Sequence, residues 1–128
     1  MSKKNILVVD DDIDIREVIS YALSSEGYNV FTAGNGEEAI ELLAGSNKIS
    51  ETIDCIVLDL MMPRMNGEQF IKTIRSTYKE FSKIPIVVIT AQGSGLTSET
   101  LKDTKKIHKP MDLDELYLAI EESFSQPK

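Results

Sequence analysis

The stretch Ile6-Leu7-Val8-Val9-Asp10-Asp11-Asp12 sets four apolar residues, three of them β-branched, directly before three carboxylates. A run this short and apolar at consecutive positions reads as a strand buried on both faces. The period then changes. Ile15, Val18, Ile19, Ala22 and Leu23 recur at i, i+3, i+4 and i+7, the stripe of a helix that lies on a sheet. The same alternation continues along the chain, with further apolar runs at Tyr28 to Thr32, Ile53 to Leu60, Ile84 to Thr90 and, more weakly, Lys105 to His108. Further helical stripes comprise Phe70, Ile71, Ile74 and Tyr78, and then Leu113, Leu116, Tyr117, Ile120 and Phe124. Asp14 with Glu17, Asn35 with Glu38, Asn66 with Gln69, and Asp112 with Glu115 have the spacing of capping boxes at helix starts. Strands of this kind, alternating with helices, predict an α/β fold whose parallel sheet is doubly wound, with helices on both faces. Gln92 to Thr104, rich in Gly, Ser and Thr, predicts only a short or mobile fourth helix, and Gly45 to Glu51 a polar loop.

The chain has 128 residues, the length of one domain, so residues 1–128 are expected to share one core. The balance of 21 acidic against 14 basic residues gives a net charge of -7, which repels nucleic acid and anionic lipid. Neither is expected as a direct ligand. Cys55 is the only cysteine and lies in an apolar run, so it predicts no disulfide and no activated thiolate. No apolar stretch reaches the ~20 residues of a membrane span, and no signal-peptide core follows Met1 to Lys4. A cytoplasmic location is the expectation.

In a doubly wound sheet, ligands sit outside the carboxyl ends of the strands. Here those ends carry Asp10, Asp11 and Asp12 on the first strand, Asp59 on the third, Thr90 on the fourth and Lys109 on the fifth. Two carboxylates ~4 Å apart repel by ~4 kcal/mol at an effective dielectric of about 20, so the acidic group calls for a cation. An all-oxygen donor set selects a hard ion, Mg2+ with Mn2+ as substitute. A carboxylate beside such an ion can attack phosphorus, and Asp59 is best placed for this role. Lys109 would supply an ammonium, and Thr90 a hydroxyl, to the phosphoryl oxygens. Helix capping explains Asp12 or Asp14 but not Asp59, which lies inside the apolar run Ile56 to Met62. His108 is expected to be a partly exposed strand residue, Met61, Met62 and Met65 packing residues, and Lys102, Lys105, Lys106 and Lys109 a basic group that could face solvent or an acidic partner.

The segments Ile6 to Asp12, Asp59-Leu60-Met61-Met62-Pro63-Arg64-Met65-Asn66-Gly67, Val88-Ile89-Thr90-Ala91 and Lys109-Pro110, in this order and spacing, resemble the receiver domain of bacterial two-component response regulators. The resemblance implies a flavodoxin-like (βα)5 fold with strand order 2-1-3-4-5. It implies that Asp59 accepts a phosphoryl group from a sensor histidine kinase or phosphotransferase. Asp11 would ligate Mg2+ directly, Asp10 through water, and the Met61 backbone carbonyl would join them. Lys109-Pro110 would be a cis peptide. Such a domain is not an enzyme toward other molecules, though it assists its own phosphorylation and dephosphorylation. The phosphoryl group would switch the face built by the fourth and fifth strands and the helices beside them. Output would then pass through a protein partner, a homodimer or a separate output domain. Lys106 stands where the family usually has an aromatic residue, so the resemblance does not carry over the usual aromatic switch; separately, the short interval from Thr90 to Lys109 points to a remodelled fourth helix. Two other readings compete: a Mg2+-dependent phosphohydrolase with an aspartyl nucleophile, and a pseudo-receiver that works without phosphorylation. The first conventionally has a second acid two residues after the nucleophile, where this chain has Met61. The second fits poorly with a full set of phosphorylation residues.

Overall fold

The computed structural model describes residues 3–44, 53–60, 67–78, 81–90, 104–109 and 112–125. Among them lie five strands and four helices, in the order β1 Asn5–Val9, α1 Ile13–Ser25, β2 Asn29–Ala33, α2 Gly36–Ala44, β3 Ile53–Asp59, α3 Gly67–Ser76, β4 Ile86–Thr90, β5 Lys105–His108 and α4 Leu113–Ser125. All pairings are parallel, in the order β2-β1-β3-β4-β5. The expected flavodoxin-like order is what the chain adopts. The predicted loop at Gly45 to Glu51, the helix within Gln92 to Thr104, Asn66 and Pro110 lie outside the described residues.

The two faces of the sheet carry separate cores. Leu7, Val9, Ile56, Leu58 and Val88 point to one side and pack with Ala39 and Leu43 of α2 and Phe70, Ile71 and Ile74 of α3. Ile6, Val8, Cys55, Val57, Val87 and Ile89 point to the other and pack with Ile19 and Leu23 of α1 and Leu116 and Ile120 of α4. Consecutive apolar residues are therefore explained by alternate residues entering different cores. Among the described residues no helix is long and apolar enough to cross a membrane.

Several boundaries differ from the expected ones. Asp12, not Asp14, caps α1: its backbone is extended, with φ -84° and ψ 111°, and its carboxylate accepts from the N–H groups of Asp14 and Ile15. Asp14 is already inside the first turn, where its charge favours the positive end of the helix dipole. Val18 leaves the expected stripe and is 55% exposed, because Ile19, Ala22 and Leu23, with Ile15 partly buried beside them, fill the face toward the sheet. β2 is shifted by one residue from the expected run. β4 begins at Ile86 because Phe81 to Ile84 form a turn, braced by the Arg75 guanidinium on the carbonyls of Phe81, Ser82 and Ile84. α1 ends at Ser25 with Glu26 as its C-cap, and Gly27 just beyond, with φ +96°, lets the Tyr28 and Gly27 N–H groups reach the carbonyls of Leu23 and Ser24, respectively. Asn35 and Asp112 cap α2 and α4 as their sequence spacing predicts.

Candidate phosphoacceptor and metal site

β1 and β3 are neighbours in the centre of the sheet, and both end in carboxylates at the same edge. Val9 pairs with Leu58, so Asp10 and Asp59 leave the sheet side by side. Oxygens of Asp10, Asp11 and Asp59 lie within 4.8 Å of one another. Asp10 and Asp59 are only 1% and 3% exposed, whereas Asp11 faces solvent. The third aspartate of the run, Asp12, belongs to the helix cap instead.

Asp10 is the most constrained of the three. Its N–H donates to the Ala33 carbonyl at 3.1 Å, and its Oδ1 accepts from the Asp12 N–H at 2.9 Å. Its Oδ2 is buried and lacks a hydrogen-bond partner among the described residues. A buried carboxylate oxygen without a partner is costly unless it meets a cation or takes up a proton. Burial first, then Asp59 and Asp11, push the Asp10 carboxyl up from 3.8 to about 6, against the Asp12 N–H and Lys109, which pull it down. Three converging carboxylates, one of which carries an orphaned buried oxygen, fit a hard divalent cation, and among the described residues no His or Cys joins the group.

On the other side of Asp59, β4 and β5 bring in the remaining residues. Lys109 Nζ lies 3.5 Å from Asp59 Oδ1, with the lysine side chain 37% exposed. The Lys109 N–H donates to the Thr90 carbonyl at 2.8 Å, which ties the ends of β4 and β5 together. Thr90 is buried at the end of β4, one residue beyond the Asp59–Ile89 pair. All five described sequence candidates, Asp10, Asp11, Asp59, Thr90 and Lys109, thus gather at the carboxyl ends of β1, β3, β4 and β5. Met61 lies outside the described residues.

The other expectations divide. His108 is exposed, and Cys55 is fully buried, its thiol pushed up to about 12 by burial against a weak hydrogen bond from Ser123. Of the basic group, Lys102 lies outside the described residues; among the others Lys106 is exposed, Lys105 pairs with Glu122 at 3.3 Å, and Lys109 turns inward to Asp59, so these do not form one solvated face. Two residues received no role from the sequence. Arg16 Nη1 donates to the Asp10 carbonyl at 2.9 Å. Gly67, the first residue of α3, donates to the Leu60 carbonyl at 3.0 Å, and a Cβ there would lie 2.7 Å from Leu60 Cα. The sequence marked a helix start at Asn66 with Gln69, but not that Gly67 presses on the backbone just after Asp59.

This geometry has close parallels. The response regulator receiver domain family model matches residues 6–121. The transcriptional regulatory protein CpxR homolog of Haemophilus influenzae is 40% identical over 96 residues, 75% of this chain and 37% of that protein. Response regulator MprA of Mycolicibacterium vanbaalenii is 44% identical over 89 residues, 70% of this chain and 35% of that protein. The chain spans about a third of the length of these curated relatives. Among solved structures, Vibrio cholerae chemotaxis protein CheY4 aligns with a TM-score of 0.82 at 29% identity, covering 95% of this chain and 99% of that one. Response regulator TrrA of Thermotoga maritima, solved in complex with Mg2+-BeF, aligns with a TM-score of 0.79 at 31% identity, covering 94% and 98%.

Proposed function

Because the chain belongs to the response regulator receiver domain family, we propose that residues 1–128 form one phosphoacceptor domain in which Asp59 receives the phosphoryl group. The observation that carries this reading is the placement of the buried Asp59 carboxylate between the Asp10–Asp11 oxygens and the Lys109 ammonium. An Asp59 oxygen attacks phosphorus of a phosphohistidine or of a small acyl phosphate. The bond from phosphorus to the donor breaks, and the donor leaves with the electron pair. Lys109 offsets the charge on the phosphoryl oxygens, and the Thr90 hydroxyl donates to one of them. Asp10, Asp11 and Asp59, with the Met61 carbonyl as the resemblance implies, would hold Mg2+ or Mn2+. The ion supplies neutralisation of charge on the transferring group. That TrrA, 31% identical, was solved as a complex with Mg2+-BeF supports Mg2+ as the ion.

A sensor histidine kinase or phosphotransferase is the proposed donor. The β5–α4 side is the proposed output surface, where a groove of about 430 Å³ is lined by residues including Lys106, Glu115, Leu118 and Glu122. The names of the CpxR relatives assign those proteins to transcription. An output of that kind would here pass through a protein partner, a second copy or a joined output domain, and the net charge of -7 argues against DNA contact by these residues themselves. We assign no turnover of external substrates. A cytoplasmic location fits a kinase-fed acceptor.

Intact-mass spectrometry after incubation with acetyl phosphate and Mg2+ tests the acceptor. One phosphoryl adduct is expected, dependent on metal and absent in Asp59→Asn. An adduct that persists in Asp59→Asn would remove Asp59 from this role.

A further inference from the structure

We propose that Arg16 is a positioning residue for the carboxylate pair of β1, acting through a slot that exists because residue 34 is glycine. The inference rests on the reading of Asp10, Asp11 and Asp59 as a divalent-metal site.

Arg16 projects from the second turn of α1 back over the loop that precedes the helix, and its Nη1 donates to the Asp10 carbonyl at 2.9 Å. That carbonyl belongs to the peptide joining Asp10 to Asp11. Rotation of this peptide plane redirects both residues, so one charge-assisted hydrogen bond orients two proposed metal ligands at once. The N–H of Asp10 is held as well, by the Ala33 carbonyl at the end of β2. The next residue, Gly34, closes the arrangement. A Cβ on Gly34 would lie 2.9 Å from Arg16 Nη1 and 3.5 Å from Glu38 Oε1. Glu38 in turn accepts from the Gly34 N–H, which fixes the turn against the guanidinium. The β2–α2 turn, the side chain of α1 and the Asp10–Asp11 peptide therefore form one stack, with room for a larger residue at 34 only if the Arg16 guanidinium moves.

The first atom that an added methyl group meets is the tip of a flexible side chain, not backbone. Gly34→Ala should therefore displace Arg16 and leave the sheet intact. Arg16→Met, Gly34→Ala and the double variant are compared by calorimetric Mg2+ titration, thermal unfolding of the metal-free protein and the Asp11 amide resonance of the metal-free protein. Arg16→Met is expected to weaken Mg2+ binding roughly tenfold, the order of loss seen when a supporting partner of a metal ligand is removed. Gly34→Ala should weaken it in the same direction, and the double variant should be no weaker than Arg16→Met alone. The Asp11 amide should shift in all three. Unchanged Mg2+ affinity with lowered thermal stability would make Arg16 a strut of the fold and overturn the proposal. Multiplying effects in the double variant would break the link to Gly34. A flat wild-type titration would instead overturn the metal reading, and the Asp11 amide, which needs no metal, would still decide whether Gly34 acts through Arg16.

Discussion

Asp10 concentrates the competing demands on this site. Its carboxyl is buried for the sake of the sheet, has one oxygen hydrogen-bonded by Asp12, and has the other left for a cation or a proton. With the folded value raised from 3.8 to about 6, the folded metal-free chain binds a proton that the unfolded chain has already released within that window. Its contribution to stability therefore falls as pH rises from about 4 to about 6, by up to about 3 kcal/mol, and stays low above it. Without metal, Asp10→Asn should be more stable than the parent at pH 7.5, with the difference vanishing below pH 4, as read from urea unfolding. Sequence reading found Asp10 through its place at a strand end. Spacing by itself did not distinguish Asp10 from Asp11, to which only the family resemblance gave different metal roles, because the difference is that Asp10 is buried and Asp11 exposed, which spacing does not encode. Arg16 was missed for a related reason. Its partner is a backbone carbonyl, and carbonyls carry no residue identity.

At the scale of the element, periodicity was a better guide than punctuation. The α1 stripe gave the right helix and the right face, yet it included Val18, which is 55% exposed, beside Ile19, which is fully buried. The i, i+3 rule admits a wide arc, and the sheet accepts only its middle. Ile19→Ala should cost about 2 to 4 kcal/mol by leaving a cavity between α1 and β1, whereas Val18→Ala should stay within about 0.5 kcal/mol. Equal losses in denaturant titrations would mean that the face of α1 is wrongly placed. The α1 start shows the limit of cap motifs. Asp12 and Asp14 are both acceptable cap residues, and the choice fell to Asp12 because the chain leaves β1 extended and turns into the helix there. β4 was read two residues too long because Arg75, from the preceding helix, draws Phe81 to Ile84 into a turn.

Across the whole molecule, the proposed metal site lies where two central strands end together, so metal binding and folding should be linked. Mg2+ at about a hundred times its Kd is expected to stabilise the fold by about 2.7 kcal/mol, with a reduced effect in Asp59→Asn, measured by chemical denaturation. No stabilisation by Mg2+ in the parent would separate the acidic group from metal binding. The amino-acid sequence alone determined the α/β class, the parallel sheet and the gathering of Asp10, Asp11, Asp59, Thr90 and Lys109 at one edge, while the strand order came only through the family resemblance that its motifs carry. These follow from hydrophobic period, strand and helix alternation, and motif order, all of which are local or ordered along the chain. Tertiary structure alone decided that Asp12 leaves the acidic group to cap α1, that Lys109 separates from Lys105 to face Asp59, and that Arg16, Gly34 and Gly67 support the site. The approach of Lys109 to Asp59 and of Arg16 to Gly34 joins residues far apart in the chain and is fixed only when the strands pair and the helices pack on them. The Asp12 cap, the Arg16 bond to Asp10 and the Gly67 contact with Leu60 are instead short-range and depend on the path that the backbone takes as it leaves β1 and β3.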